Sequence, residues 1–161
     1  MKVGIVMGSQ SDYKIVEKSE EILKAFDVEF VTRVISAHRT PVAAMKFAEE
    51  AEENEIEVII AAAGKAVHLG GVLAAFTAIP VIGLPIKSST LDGLDSLLSM
   101  VQMPKGVPVA TVAIDGAENA ALLAIQMLGI KDNELRKKMK DYKESMAREV
   151  EAADREMQLK K

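Results

Sequence analysis

The residues best suited to chemistry are the two histidines of the chain, His38 and His68. An imidazole both gives and takes a proton near neutral pH, so each histidine is a candidate general acid or base. His38 lies in the segment SAHRTP, close in sequence to the hydroxyl of Ser36 and the guanidinium of Arg39. Because a guanidinium can bind phosphate through two parallel hydrogen bonds, this segment predicts acid–base chemistry beside a bound phosphate. The alternative is a purely structural role for His38.

His68 lies in the segment AAAGKAVHLGG, residues 61–71, among small residues and after Lys65. A run of small residues lets a ligand approach the backbone closely, and Gly64 is the predicted turn. We expect His68 in the first turn of the following helix, with its ring toward the loop. Local capping or packing is the alternative. The segment is not a Walker A loop, because Ala66 stands where that motif needs Ser or Thr.

The third candidate segment is GSQSD, residues 8–12, which follows the first apolar run of the chain. A turn at Gly8 followed by the hydroxyls of Ser9 and Ser11 at a helix N-terminus predicts an anion site, since free N–H groups and the helix dipole favour phosphate. Asp12 would then accept hydrogen bonds from a ribose diol. The alternative is that Ser11 or Asp12 simply caps the helix.

These segments must be positioned by the elements around them, and the chain alternates short β-branched runs with helical patterns. The predicted strands are 2–7, 28–35, 57–63, 80–85 and 108–114. The predicted helices are 12–26, 41–54, 66–77, 91–103, 118–128 and 131–161, the second starting with Thr40 as cap and Pro41 at its first position. Repeated βα units predict a doubly wound parallel sheet, in which ligands bind at the carboxyl ends of the strands.

The last segment, 131–161, is mostly charged, and its apolar residues recur at spacings of three and four, which predicts one stripe on a long helix. The stripe consists of Leu135, Met139, Tyr142, Met146, Val150, Ala153 and Met157. It either lies on its own domain or docks on another subunit.

Composition sets the limits of this interpretation. The 161 residues predict a single domain, 1–161, with a core large enough to need no disulfide or metal. The absence of cysteine excludes thiolate nucleophiles and cysteine metal sites and fits the cytoplasm. A net charge of −4 argues against a nucleic-acid surface, and no apolar run has the length of a membrane span. Two histidines without a carboxylate cluster make a poor metal site. A cofactor-free site for acid–base chemistry on a phosphorylated riboside remains.

Four segments in order, MGSQSD, SAHRTP, AGKAVHLGG and LDGLDSLLSMVQMPKGVPVAT, resemble the PurE family, whose members act on aminoimidazole ribonucleotides in purine biosynthesis. The resemblance covers residues 1 to about 128. The forms AHRTP and HL are similar to the branch that converts N5-carboxyaminoimidazole ribonucleotide to 4-carboxyaminoimidazole ribonucleotide.

The resemblance implies a three-layer, flavodoxin-like α/β fold with helices on both faces of the sheet. It also implies a homo-octamer whose active sites draw on neighbouring subunits, and a reaction in which the N-carboxylate leaves as CO2 and C4 of the ring attacks it. His38 matches the general acid–base residue, and His68 and Leu69 match loop residues on the carboxylate side. The predicted substrate contacts are Gly8, Ser9, Ser11, Asp12, Ser36, Arg39, Gly64, Lys65 and Leu69.

The third segment departs from the common family form AGGAAHLPG at Lys65, Val67 and Gly70. Val67 adds volume, and Gly70 is expected to loosen a turn that proline would stiffen. Lys65 either points outward, contributing only its N–H, or reaches a substrate carboxylate. Four other functions stay open: a PurE-like enzyme acting on another substrate, an AIR carboxylase that uses CO2 directly, a PurE-like nucleotide-binding protein with weak or no activity, and a flavin carrier. The loops offer no aromatic ring to stack on a flavin.

Overall fold

The computed structural model describes residues 1–65, 67–89 and 91–160. Within these ranges, the centre is a parallel sheet of five strands in the order β2-β1-β3-β4-β5. The strands are β1 Lys2–Met7, β2 Glu29–Val34, β3 Ile56–Gly64, β4 Val81–Ile86 and β5 Ala110–Thr111. A helix lies in each crossover between consecutive strands, which confirms the predicted α/β fold. The strand order is that of flavodoxin-like folds.

Six α-helices in the described ranges surround the sheet. They are α1 Tyr13–Ala25, α2 Pro41–Glu49, α3 Leu69–Ala75, α4 Leu94–Val101, α5 Ala117–Leu128 and α6 Asn133–Leu159. Short 3-10 turns precede two of them, at Gln10–Asp12 and Leu91–Gly93.

The sheet buries side chains on both faces, which explains the continuously apolar strands. Ile59 and Ile60 are adjacent on β3 and both fully buried, because successive side chains of a strand point to opposite faces. Ile60 belongs to a core cluster with residues of α1, α5 and the start of α6, while Ile59 belongs to a second cluster with residues of α2, α3 and α4. These two clusters make the three layers that the resemblance implied.

Several predicted elements are shorter in the structure, among them α2, α3, α4 and β5. Helix α2 ends at Glu49 and not at residue 54, and the chain passes through turns to Glu55, whose φ of 62° is left-handed. Strand β5 has two residues, although the N–H groups of Val112 and Asp115 still bond carbonyls of Gly83 and Pro85 at 3.0 and 2.9 Å, and the chain turns at Asp115, where φ is 56°. Periodicity does not reveal such left-handed residues.

The helix starts also differ from prediction. Thr40 occupies the cap position of α2, but its side chain makes no cap hydrogen bond and instead accepts from the N–H of Ser36 at 3.0 Å. The predicted helix 91–103 is interrupted by left-handed residues, Asp92 at φ 53° and Gly93 at φ 91°, and continues as α4. A helix cannot run through two such residues, so its regular part begins at Leu94.

Helix α6 begins with a side-chain cap, since Asp132 Oδ1 accepts from the N–H of Leu135 at 2.9 Å. Leu135 and Met139 are buried in the core, whereas farther along the predicted stripe Val150 is 70% exposed and Met157 is 62% exposed. Lys161, which the predicted segment includes, lies outside the described residues. Among the helices described, none combines the length and apolar character that crossing a membrane requires.

Candidate active site

The carboxyl ends of the central strands meet at one edge of the sheet. Met7 of β1 aligns with Val34 of β2 and Ala62 of β3, while Gly64 aligns with Ile86 of β4. The segments that follow these strands therefore enclose one cleft of about 750 Å³. It is lined by Gly8, Ser9, Ser11, Asp12, Ser36, Ala37, His38, Arg39, Ala63, Gly64, Lys65, Val67, His68, Leu69, Ile86, Lys87, Ser88 and Ser89. All the predicted catalytic and substrate-binding residues are in this lining, and their roles stay predictions.

The two histidines contact each other directly. His38 Nε2 lies 2.8 Å from His68 Nδ1, and the ring centroids are 4.9 Å apart with the planes at 83°. One of these nitrogens must carry the proton and the other must accept it, so the hydrogen bond requires that the two rings are not both protonated. The outer nitrogens, Nδ1 of His38 and Nε2 of His68, are then complementary: when one carries a proton in the neutral pair, the other is bare.

Arg39 is held across the ends of two strands. Its Nη2 donates to the carbonyl of Gly8 at 3.1 Å, and its Nε lies 3.3 Å from Ser36 Oγ, which also accepts from the Arg39 N–H at 3.2 Å. These bonds use part of the five N–H donors of a guanidinium. The remaining N–H donors of Arg39 can bind an anion, and the bonds to Gly8 and Ser36 already fix the orientation of the guanidinium.

The segment after β1 forms its own hydrogen-bond network. Ser9 Oγ accepts from the N–H of Ser11 at 3.3 Å and lies 2.9 Å from Ser11 Oγ. In the alternative interpretation, Ser11 or Asp12 caps the helix by its side chain. In the structure Asp12 occupies the cap position of α1 but makes no side-chain cap bond, and Ser9 caps the 3-10 turn before it. Partial burial raises the pKa of the Asp12 carboxyl, against hydrogen bonds from Ser11 and Ser9 that lower it.

The loop after β3 differs from its prediction at two residues, His68 and Gly70, and shows an unpredicted backbone conformation at Lys65. His68 takes the cap position just before α3 and not its first turn, and its carbonyl accepts from the N–H of Val72 at 2.9 Å. Gly70 lies inside α3 and is buried, so it does not loosen a turn. Lys65 has a left-handed φ of 63°, a conformation that glycine adopts without strain. Ala66 lies outside the described residues.

The segment after β4 completes the cleft and was missed by the sequence interpretation. Ile86, Lys87 and Ser88 line it, and the N–H of Lys87 donates to Asp115 Oδ1 at 2.8 Å. Its position could have been inferred, since a parallel strand next to β3 must end at the same edge. The described ranges hold no group of three or more His, Cys, Asp or Glu placed to bind a metal.

Comparisons with known proteins identify the family. The chain is 60% identical over 147 residues to the N5-carboxyaminoimidazole ribonucleotide mutase of Pyrococcus abyssi, covering 91% of this chain and 84% of that protein. It is 51% identical over 148 residues to the phosphoribosylaminoimidazole carboxylase of Candida glabrata, covering 92% of this chain and 26% of that protein.

A crystal structure of Treponema denticola PurE superposes with a TM-score of 0.89 at 32% identity, covering 96% of this chain and 97% of that one. The family described as AIR carboxylase matches residues 2–149. These findings confirm the resemblance drawn from the four sequence segments: the chain belongs to the AIR carboxylase family.

Proposed function

We propose that this chain is an enzyme of purine biosynthesis that converts N5-carboxyaminoimidazole ribonucleotide to 4-carboxyaminoimidazole ribonucleotide. The observation that carries the mechanism is the direct contact between His38 and His68 in a cleft whose other wall presents Arg39 and a cluster of hydroxyls. The name of the Pyrococcus abyssi relative supports the choice of reaction.

The ribose phosphate binds on the wall formed by the segments after β1 and β2. Arg39 and the hydroxyls of Ser9 and Ser11 contact the phosphate, and Asp12 accepts from the sugar hydroxyls. Ser36 fixes Arg39, because the Oγ of Ser36 accepts from both the main-chain N–H and the Nε–H of Arg39. Charge-assisted hydrogen bonds of this kind account for most of the nucleotide affinity.

The reaction takes place on the wall formed by the segment after β3. The bond from the exocyclic nitrogen to the carboxylate breaks, CO2 leaves, and the nitrogen takes a proton. C4 of the ring then attacks the CO2, and the proton on C4 is removed, so that one proton is consumed and one released. Retained CO2 beside the ring gives the second step the advantage of proximity.

The histidine pair supplies both proton transfers. In the neutral pair, one outer nitrogen carries a proton and acts as the acid, while the other is bare and acts as the base. When one outer nitrogen gives its proton to the substrate and the other takes one from it, the shared proton shifts between His38 and His68, so both rings stay neutral and the two roles are exchanged. No cofactor is required for this sequence of steps.

A direct AIR carboxylase is the second candidate, because the Candida glabrata relative, 51% identical over the 148 residues matched, is a phosphoribosylaminoimidazole carboxylase, although this chain covers only 26% of it. The two functions are separated by assaying purified protein with N5-carboxyaminoimidazole ribonucleotide and, separately, with aminoimidazole ribonucleotide and bicarbonate. The mutase reaction predicts rapid product formation in the first assay. Product formation in the second assay alone would contradict it.

Self-association as a homo-octamer, in the cytoplasm, is part of the proposal. The outer half of the α6 stripe supports it, since Met146, Val150 and Met157 are 40%, 70% and 62% exposed. An apolar seam that extends beyond its own core is stabilised by a partner. Light scattering on the purified protein is expected to give eight chain masses, and Val150→Glu a smaller assembly. A monomeric wild-type protein would contradict this part of the proposal.

A further inference from the structure

Helix α4 lies outside the cleft but binds two segments of its wall. Ser96 is fully buried and donates to the carbonyl of Ile86, which ends β4, at 2.9 Å. Asp95 accepts from Ser88 Oγ at 3.0 Å. Neither Asp95 nor Ser96 lines the cleft, so their bonds act on the site only through the segment that they hold.

The third of these bonds reaches the loop that carries a catalytic histidine. Ser99 Oγ accepts from the N–H of Val67 at 2.9 Å and donates to the carbonyl of Asp95 at 2.8 Å. A serine hydroxyl can make both bonds at once, because it has one O–H to donate and lone pairs that accept. Val67 is 3% exposed, so its N–H would lose its partner without ready access to water if the hydroxyl were removed.

We propose that Ser99 is a positioning residue for the reaction, fixing the main chain next to His68 and with it the contact between the two imidazoles. The proposal rests on the proposed function for its kinetic consequence. Val67 immediately precedes His68, and Lys65 on the same loop has a strained φ of 63°. A bond from a neighbouring helix holds this loop at the point where the ring of His68 must stay 2.8 Å from His38.

The kinetic test compares Ser99→Ala with Ser145→Ala. Ser145 is a matched control, because its hydroxyl also bonds a carbonyl of its own helix, that of Tyr142, and it does not line the cleft. We expect Ser99→Ala to lower kcat about 10-fold, since a small displacement of a reacting group is costly. KM should stay within about twofold, because the phosphate contacts lie on the other wall. Ser99→Thr, which keeps the hydroxyl, should retain most of the wild-type kcat.

A spectroscopic test does not depend on turnover. The chain has two histidines, so labelling histidine with ¹⁵N gives imidazole signals from the pair alone. Wild-type protein, Ser99→Thr and Ser145→Ala should show the same nitrogen shifts and a coupling across the N–H···N bond. Ser99→Ala should lose that coupling and show an altered pH dependence of both rings.

Two results would overturn the proposal. The first is a Ser99→Ala protein with wild-type imidazole signals, and the second is a Ser99→Thr protein as impaired as Ser99→Ala. If Ser99→Ala does not fold, amide exchange in the wild-type protein decides: the Val67 N–H should be as protected as those of β3, and rapid exchange would contradict the bond. If the wild-type protein shows the coupled imidazoles but no turnover, the proposed function is contradicted, whereas loss of the coupling in Ser99→Ala would still support the positioning of His68 by Ser99.

Discussion

The two walls of the cleft are stabilised in different ways. The wall after β1 and β2 is held by bonds among its own residues, such as Arg39 to Gly8 and Ser11 to Ser9. The wall after β3 consists of small and apolar residues together with His68 and with Lys65, whose φ is left-handed, and its main chain is bonded by Ser99 of another helix. Binding the charged end of a ribonucleotide needs fixed donors, whereas retaining CO2 needs a closed apolar surface. In the proposed function the first wall takes the first of these tasks and the second wall the other, and substitutions on each wall test that division.

The largest effect is expected from breaking the contact that joins the walls. His38→Asn and His68→Asn should each lower kcat by about 10²- to 10⁴-fold, because each removes one end of the proton-sharing pair. Nucleotide affinity, measured by calorimetry with 4-carboxyaminoimidazole ribonucleotide, should change little. The double variant should be no slower than the slower single variant, as expected for residues that act as a unit. Independent, multiplying losses would show that the two histidines act separately.

The next effect tests the wall after β1 and β2, called here the anchoring wall because it carries Arg39, Ser9 and Ser11. Arg39→Lys keeps the charge but removes the planar fork, so KM should rise on the order of 10-fold or more while kcat stays within about threefold. Steady-state kinetics would measure both constants. Arg33→Lys, at an exposed position of β2, is the control and should leave both constants unchanged. A loss of kcat without a change in KM would place Arg39 in the chemistry and contradict the division between the walls.

A smaller effect concerns the stability cost of the anchoring wall. Burial raises the pKa of Asp12 above its value of 3.8 in an unfolded chain, so its ionised form is disfavoured in the folded state. The contribution of this carboxyl to the stability of the fold is fully present below pH 3.8. It is lost as the pH rises through the pKa that Asp12 has in the folded state. At pH 7, Asp12→Asn should therefore raise the melting temperature by about 1–2 °C, allowing for partial exposure. The gain should shrink as the pH falls toward 3.8, while KM at pH 7 rises severalfold.

Asp27 gives a control of opposite sign. Its carboxylate lies 2.7 Å from Lys138 Nζ, and this hydrogen bond lowers its pKa below 3.8. A carboxyl whose pKa is lower in the folded state stabilises the fold at pH values above its unfolded pKa. This stabilisation is lost as the pH falls through the pKa of the folded state. Asp27→Asn should therefore lower the melting temperature slightly at pH 7. If the melting temperatures of both variants shift in the same direction, ionisation cannot be the cause of both changes.

The sequence predicted the anchoring wall better than the catalytic one. Strands with apolar residues on both faces predicted the sheet, and the rule that ligands bind at its carboxyl edge brought Gly8, Ser36 and His68 to one cleft. The bond between His38 and His68 joins residues from two loops, and no spacing along the chain encodes such a distance. The bond from Val67 to Ser99 was equally hidden, because a serine within an amphipathic helix has the pattern of an ordinary polar position.

Backbone conformation was the other feature that pattern could not reveal. Lys65 was interpreted through its charge, yet its φ of 63° is the property that the structure adds. The same holds for Asp92, whose left-handed φ of 53° delays the regular part of the predicted helix 91–103 until Leu94. A left-handed conformation at a residue other than glycine cannot be predicted from the residue type, because such residues strongly prefer negative φ.

The smallest effect separates the charge of Lys65 from its backbone strain. Lys65→Gly should raise the free energy of unfolding by at most about 1 kcal/mol, since relief of the left-handed conformation exceeds the added entropy of the unfolded chain by a small margin. Lys65→Ala keeps the strain and should give no gain. Both variants remove the ammonium, so both should raise KM by about threefold if it contacts the substrate carboxylate, as an exposed ion pair allows.

Denaturant unfolding and steady-state kinetics on the three proteins distinguish these contributions. The expected pattern is that Lys65→Gly differs from Lys65→Ala in stability but equals it in KM, since strain depends on the backbone and affinity on the charge. Equal stability of the two variants would show that φ at this position carries no cost. An unchanged KM in both would mean that the ammonium points away from the cleft and that Arg39, on the opposite wall, supplies the cationic contact to the nucleotide by itself.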